Sequence, residues 1–265
     1  MTQQLSYVHP DAKIGKDVTV SPFCHISGNV IVGDGTWIGP NVTIMDGARI
    51  GKNCKIFPGA VVSAIPQDLK FRGEETTAEI GDNTTLRECT TVNRGTASKG
   101  KTIVGSNCLL MAYVHVAHDC IVGNNIIIGN GTQLAGEVEI DDFAILSGHV
   151  IIHQFERIGS YVIVQGGARI NKDIPPFIIA GHEPISYAGI NIIGLRRRSF
   201  SPQQIAEIQE IYRNIYGKGR NVTQAVAYIT ENMPQTKERD MVLEFIKNSR
   251  RGIVREYAGL TPMED

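Results

Sequence analysis

Aliphatic residues recur along this chain with a period of six. From Val8 every sixth position is aliphatic: Ile14, Val20, Ile26, Val32, Ile38, Ile44, Ile50, Ile56 and Val62. The beat lapses, returns in the same phase at Ile80, Leu86 and Val92, lapses again, and then runs from Val104 to Ile170 without a miss. At 42% hydrophobic residues, chance does not sustain such a phase over 25 positions, so a repeat architecture is the first inference. Four residues after each aliphatic stands a small or β-branched residue, as at Ala12, Val18, Cys24, Val30, Thr36 and Val42. Glycine often follows the aliphatic directly, as at Gly15, Gly33, Gly39, Gly51 and Gly159.

A period of six fits neither a 3.6-residue helix nor simple alternation along a long strand. It fits short extended segments joined by tight corners. The aliphatic points inward, the small residue packs beside it, and glycine or asparagine supplies the positive φ of the corner. Three sides close one triangular coil. With about 4.8 Å between stacked strands, the 25 hexads predict roughly eight coils and a prism about 40 Å long. This pattern resembles the hexapeptide-repeat family, whose members form a left-handed parallel β-helix. The handedness is what the resemblance implies, because the general preference for right-handed crossovers predicts the opposite. The expected fold class is therefore an all-β solenoid, over residues 1–190, followed by an α-helical C-terminal domain over 191–265.

Both lapses in the beat predict excursions from a corner. The stretch 63–79 brings Gln67, Asp68, Lys70 and Arg72 close together, and reads either as a solvated polar loop or as one that carries function. The second, near 94–102, is rich in Gly, Ser and Lys and reads as flexible. After Pro175-Pro176 the beat is over. Ser201-Pro202 reads as an N-cap with proline at the first helical position, ahead of a stripe at Ile205, Ile208, Ile211, Tyr212 and Ile215 that ends at Gly217. Two further helices are expected near 221–232 and 236–250, forming a cap over the solenoid's last open edge. Arg196, Arg197 and Arg198 form a basic run, either a solvated helix entrance or a phosphate site.

A net charge of −1 gives no basic field for nucleic acid. No stretch reaches 18 apolar residues and the polar start is no signal peptide, so the chain reads as soluble and cytoplasmic. Cys24, Cys54, Cys108 and Cys120 fall on the small inward position and read as packed thiols; Cys89 stands one place off it. With the cysteines buried, no nucleophile stands out. The histidines gather in the later coils: His115 and His118 in one stretch, His149 and His153 in another. His118 is two places past the inward Val116 and is expected on the outer face, as are His115 and His153. Residues 36 apart lie two coils apart on one side, so His118 and Gln154 share a face. Such a histidine is a candidate general base for direct transfer to a substrate hydroxyl. Asp119 is discounted as its partner, because adjacent side chains in a strand point oppositely; a backbone carbonyl or another side chain is expected to orient the imidazole.

Four stretches now carry a closer resemblance: Gln67-Asp68-Leu69-Lys70, then His115-Val116-Ala117-His118-Asp119-Cys120, then His153-Gln154-Phe155, then Asn191 to Arg198. In this order, and over nearly the whole chain, they are similar to the UDP-N-acetylglucosamine 3-O-acyltransferase family, which begins lipid A synthesis. The resemblance implies a homotrimer with clefts between neighbouring β-helices. Its substrates would be UDP-N-acetylglucosamine and a 3-hydroxyacyl chain delivered on the phosphopantetheine of acyl carrier protein, with no separate cofactor and no metal. It implies His118 as the catalytic base. It also implies substrate or supporting roles for Gln67, Asp68, Lys70, His115, His153, Gln154, Asn191, Arg197 and Arg198. Gly166 would set acyl-chain length; the alternative for Gly166 is a corner needing positive φ. The chain departs from the family pattern at Glu137 and Ile193, where relatives carry a histidine and an acid. Three other readings compete. A sister N-acyltransferase needs an N-terminal domain that a beat starting at Val8 leaves no room for. A zinc carbonic anhydrase on the same fold needs three convergent histidines. A purely structural solenoid does not need the loops, the histidines and the arginine run.

Overall fold

The computed structural model describes residues 5–257. Twenty-five short strands, from β1 (Tyr7–Val8) to β25 (Arg169–Ile170), stand on the 25 beat positions and stack into three parallel sheets. They wind as a left-handed parallel β-helix. Sheet 1 begins with β1, sheet 2 with β2 (Lys13–Ile14) and sheet 3 with β3 (Thr19–Val20). The beat residues form the core: Ile26, Ile38, Ile44, Ile56, Leu110, Val116 and Ile128 are fully buried. The small inward position serves a second purpose. Thr36, Thr84 and Thr132 there donate their hydroxyls to carbonyls of the next coil at 2.7 to 3.1 Å. The Cys24 and Cys120 thiols reach such carbonyls at 3.0 and 3.2 Å. Burial pushes the Cys120 thiol up to about 12, so it is an inert core group.

Strand partners normally lie one coil, 18 residues, apart, as Tyr7 with His25. Across the first excursion Val62 pairs with Val92, 30 residues on, and across the second Val92 pairs with Val116, 24 on. The excursions thus add twelve and six residues to a coil. Both leave sheet 1 and rejoin sheet 2, so they hang from the same edge in successive coils, directly beneath His118. On the edge between sheets 2 and 3, the positive-φ corner is held by Asn53, Asn83, Asn107 and Asn125. Toward the helical end, aromatics take over at Phe143, Tyr161 and Phe177, with φ of 65°, 62° and 69°. Their rings stack at 5.0 and 5.5 Å, contacts that offset a left-handed backbone bulky residues ordinarily avoid.

Sheet 3 carries three strands outside the hexad scheme: β26 (Ile178–Gly181), an antiparallel β27 (Ser186–Ile190) and β28 (Arg255–Glu256). The period of six has no signal for these. Among the described residues four helices follow, not three. A six-residue α1 (Ile192–Arg197), capped by Asn191, precedes α2 (Pro202–Tyr216), α3 (Val222–Asn232) and α4 (Lys237–Lys247). Ser201 and Asn221 each form a capping box with the glutamine three residues on. The arginine run is therefore not a helix entrance. Arg196 and Arg197 occupy the last turn of α1, where cations complement the helix dipole. Tyr212 ties α2 to the end of the solenoid by donating to the Pro176 carbonyl at 2.6 Å, and Tyr216 donates to the Val254 carbonyl, beyond α4, at 2.8 Å. No described helix is long and apolar enough to cross a membrane.

The segment from Ser249 to Val254 runs back from α4 onto the last coils. Asp173 anchors it: its carboxylate accepts from the Ser249 hydroxyl at 2.6 Å and from the Arg157 amide at 2.8 Å. Beside it Glu156 is fully buried, and neither of its oxygens has a hydrogen-bond partner among the described residues. Burial, reinforced by the Asp173 charge and opposed by Arg251 and Lys172, raises the Glu156 carboxyl to about 7. The folded value lies above the unfolded one, so the fold favours the protonated acid. That contribution is complete below the ordinary glutamate range and is lost as pH rises through about 7. Glu156→Gln, which mimics the protonated form, should raise the melting temperature relative to wild type at pH 8 and change it little at pH 4. Melting curves at the two pH values that shift equally would contradict this assignment.

Candidate active site

His118 and Asp119 are corner residues, not strand residues. The strand His115–Val116 ends before them, and Asp119 takes φ 59°. Alternation of side chains therefore does not apply, and the expectation that Asp119 points away is overturned. The His118 Nδ1 lies 2.8 Å from Asp119 Oδ2. The Asp119 carboxylate is fully buried. The second excursion wraps it: Oδ1 accepts from the Thr96 and Lys99 amides at 3.0 and 3.1 Å, and Oδ2 from the Thr96 hydroxyl at 2.6 Å. Burial by itself would raise this carboxyl, but the hydrogen bonds from Thr96, His118 and Lys99 outweigh it and hold it below the usual aspartate range. An ionised carboxylate only accepts, so the His118 proton sits on Nδ1 and the Nε2 lone pair is free.

His118 lies outside the coil as expected, yet only 9% of it is exposed. The first excursion brings Asp68 over it, with Asp68 Oδ2 3.9 Å from His118 Nε2. That excursion is itself braced. The Asp68 carboxylate accepts from the Lys70 amide at 2.9 Å, and Phe71 packs under Arg94 at 5.5 Å. On the next coil up, the ring rests against Gly136, where an added Cβ would stand 2.5 Å from both Nε2 and Cε1. One coil below, Thr91 Oγ1 meets His115 Nδ1 at 2.7 Å. Burial, and then the neighbouring His118, keep His115 below the ordinary histidine value, favouring its neutral form.

The other expected site residues separate among the three edges of the prism. His115, His118, His153, Gln154, Asp68 and Lys70 gather at the edge between sheets 1 and 2, with Gln67 exposed at the base of the first excursion. Asn191, Arg197 and Arg198 lie at the edge between sheets 2 and 3. Both ends of the buried Asn191 amide are engaged, with Gly194 N and Tyr161 O, and Arg198 stacks on Phe143 at 4.5 Å. Gly166 lies at the third edge, and it is Gly167, not Gly166, that takes positive φ. A Cβ on Gly166 would meet only Gly148 O at 3.3 Å and Ser147 Cβ at 3.7 Å. Reading along the chain discounted Asp119 and missed Thr96, Lys99 and Gly136. A signal for the first three was present: both lapses of the beat fall on one edge, one and two coils before His118. Among the described residues, no group of three His, Cys, Asp or Glu could hold a metal ion.

A hexapeptide β-helix carrying an acid-oriented histidine under excursion loops defines a hexapeptide-repeat transferase. Residues 29–64 and 101–136 match the bacterial transferase hexapeptide repeat, and residues 173–254 match the second domain of UDP-N-acetylglucosamine O-acyltransferase. An acyl-[acyl-carrier-protein]–UDP-N-acetylglucosamine O-acyltransferase from Thermodesulfovibrio yellowstonii is 40% identical over 94% of this chain and 96% of its own. A UDP-N-acetylglucosamine acyltransferase structure from Bacteroides fragilis is 55% identical with a TM-score of 0.94, over 96% of this chain and 100% of that one. The Francisella novicida structure is 40% identical, also with a TM-score of 0.94, over 97% and 95%. The chain belongs to the UDP-N-acetylglucosamine O-acyltransferase family.

The contact with Gly136 generates a test. With Nδ1 tied to Asp119, the ring cannot retreat from a methyl group at residue 136 without breaking that bond. Gly136→Ala should lower the acyl-transfer turnover by about two orders of magnitude, the scale of general-base catalysis, while the melting temperature stays within a few degrees. Full turnover in that variant would show that the ring position is not critical.

Proposed function

We propose that this chain transfers a 3-hydroxyacyl group from acyl carrier protein to the 3-hydroxyl of UDP-N-acetylglucosamine, the first step of lipid A biosynthesis, with His118 as general base. The His118–Asp119 pair carries this reading, because Asp119 holds the tautomer that leaves Nε2 as the acceptor. The sugar hydroxyl gives its proton to Nε2 as its oxygen attacks the thioester carbonyl. A tetrahedral oxyanion forms and then collapses, breaking the carbon–sulfur bond. The imidazolium returns the proton to the departing phosphopantetheine thiolate. The Gly136 backbone packs against the His118 ring, and its amide, without an acceptor among the described residues, serves as the donor for the oxyanion. Asp68, over Nε2, orients the attacking hydroxyl, and Gln67, Lys70, His115, His153 and Gln154 line the same cleft. No step calls on a metal or a cofactor beyond the carrier's own arm.

The separation of the site residues among three edges supports a homotrimer. One chain brings His118 to the first edge but keeps Arg197 and Arg198 at the second and Gly166 at the third. A cleft holding all of them is built where the edges of neighbouring copies meet. Sheet 3 offers a surface for such contact, an outward stripe of Leu109, Ile127, Ile145, Ile163 and Ile179 stacked in register. In this arrangement the arginines receive the UDP diphosphate, Asn191 holds their short helix in place, and Gly166 leaves the acyl groove open.

The decisive experiment incubates the protein with UDP-N-acetylglucosamine and a panel of 3-hydroxyacyl carrier proteins and identifies the product by mass. His118→Ala should lose at least about two orders of magnitude in kcat with the fold intact. Near-wild-type activity would remove His118 from the mechanism. Wild type should accept long chains, and Gly166→Met should shift the preference to shorter ones, since each buried methylene contributes about 0.8 kcal/mol. A variant that keeps its length preference would place the ruler elsewhere. Sedimentation should return a trimer; a stable and active monomer would defeat the shared-cleft reading.

A further inference from the structure

The returning segment 249–254 places Arg251 beside His153. The Arg251 Nη1 lies 3.2 Å from His153 Nδ1 and 3.5 Å from Glu156 Oε1. Its position is set from both sides. Lys172 Nζ donates to the Arg251 carbonyl at 2.5 Å, and three residues on, Val254 N donates to the carbonyl of the anchoring Asp173 at 2.9 Å. Glu156, fully buried and with no hydrogen-bond partner among the described residues, draws the guanidinium inward once its carboxyl ionises above about pH 7. The same His153 Nδ1 also lies 3.1 Å from the carbonyl oxygen of Gln154.

These two contacts demand opposite states of a single nitrogen. A guanidinium has only N–H donors, so contact with Arg251 needs a lone pair on Nδ1. A carbonyl only accepts, so contact with Gln154 needs a proton there. We propose that Arg251 is a positioning residue that selects the tautomer of His153. With Arg251 in place the proton stays on Nε2, and His153 offers an N–H donor to the cleft. Without it the proton moves to Nδ1 and bonds the Gln154 carbonyl, and Nε2 becomes an acceptor. Two histidines of the cleft, His118 and His153, then hold opposite tautomers: His118 presents a lone pair because a carboxylate faces its Nδ1, and His153 presents a proton because a guanidinium does. One can take a proton from the substrate while the other donates to an oxygen of it, a phosphate or carbonyl acceptor that a lone pair would repel. This rests on the reading that His153 lines the acyl-transfer cleft.

The test uses the full-length protein with 15N-labelled histidine, the His153 signals being assigned by their loss in His153→Gln. In wild type the His153 Nδ1 should show a pyridine-like shift and Nε2 a pyrrole-like one. Arg251→Met should exchange the two, and Arg251→Lys, which keeps a donor, should largely restore the wild-type pattern. In kinetics, Arg251→Met should raise the same KM that His153→Gln raises, by about tenfold, the scale of a hydrogen bond to a charged group, with kcat changed less than about twofold. A pyrrole-like Nδ1 in wild type, or identical spectra for wild type and Arg251→Met, would overturn the proposal. Should Arg251→Met fail to fold, Glu156→Gln read at pH 8, where the wild-type carboxyl is ionised, supplies the second arm: it removes the charge that holds the guanidinium and should move the spectrum in the same direction, and no movement at that pH would count against the proposal. If His153→Gln leaves the kinetics unchanged, the placement of His153 in the cleft falls, whatever the spectra show.

Discussion

Every coil must bring its backbone back into hydrogen-bonding register with the coil below. Eighteen residues do this when three corners each consume the same short turn, and the parallel ladder then leaves no freedom along the axis. Residues 18 or 36 apart become vertical neighbours whatever their side chains. His118, Gly136 and Gln154 stand in one column for this reason alone. Extra residues cannot be absorbed within a strand without flipping the inward aliphatics outward, so they must leave at a corner and return to it. The two excursions obey that limit, adding twelve and six residues on one edge.

The chemistry follows from where those excursions hang. A corner histidine on a bare prism would be solvated and free to rotate. Here the second excursion supplies three hydrogen bonds to the Asp119 carboxylate, which in turn fixes the imidazole, and the first covers it with Asp68. A buried carboxylate is costly unless its lone pairs are filled. Four donors, counting His118, fill those of Asp119, which is why it stays ionised in a place where burial opposes charge. Glu156 shows the opposite outcome. It has no such donors, and its carboxyl rises to about 7.

The helical cap does more than close the last edge of the sheets. The aromatic stack of Phe143, Tyr161 and Phe177 gives the first helix a platform, and Arg198 rests on its end ring. The returning segment reaches the opposite edge and meets His153 through Arg251. The cap therefore touches two of the three edges, one holding the histidines and one holding the arginines.

Much of this was legible along the chain. The inward column, the corner residues, the number of coils and the buried thiols follow from local patterns, because each hexad meets the same neighbours as the last, and the ends of α2 at Ser201 and Gly217 follow from their capping residues. The stacking of residues 36 apart was legible too, since a fixed period makes distance along the chain into distance in space. The pairing of His118 with Asp119 was not. It depends on a corner geometry that overrides strand alternation, and on a loop about twenty residues upstream whose edge the lapse in the beat marks but whose hydrogen bonds no periodic argument supplies. Strands β26 to β28 and the short α1 escaped for the same reason, having no repeat to announce them. The contact between Arg251 and His153 joins residues 98 apart across two differently built domains. Only the packing of the cap against the solenoid could bring them together.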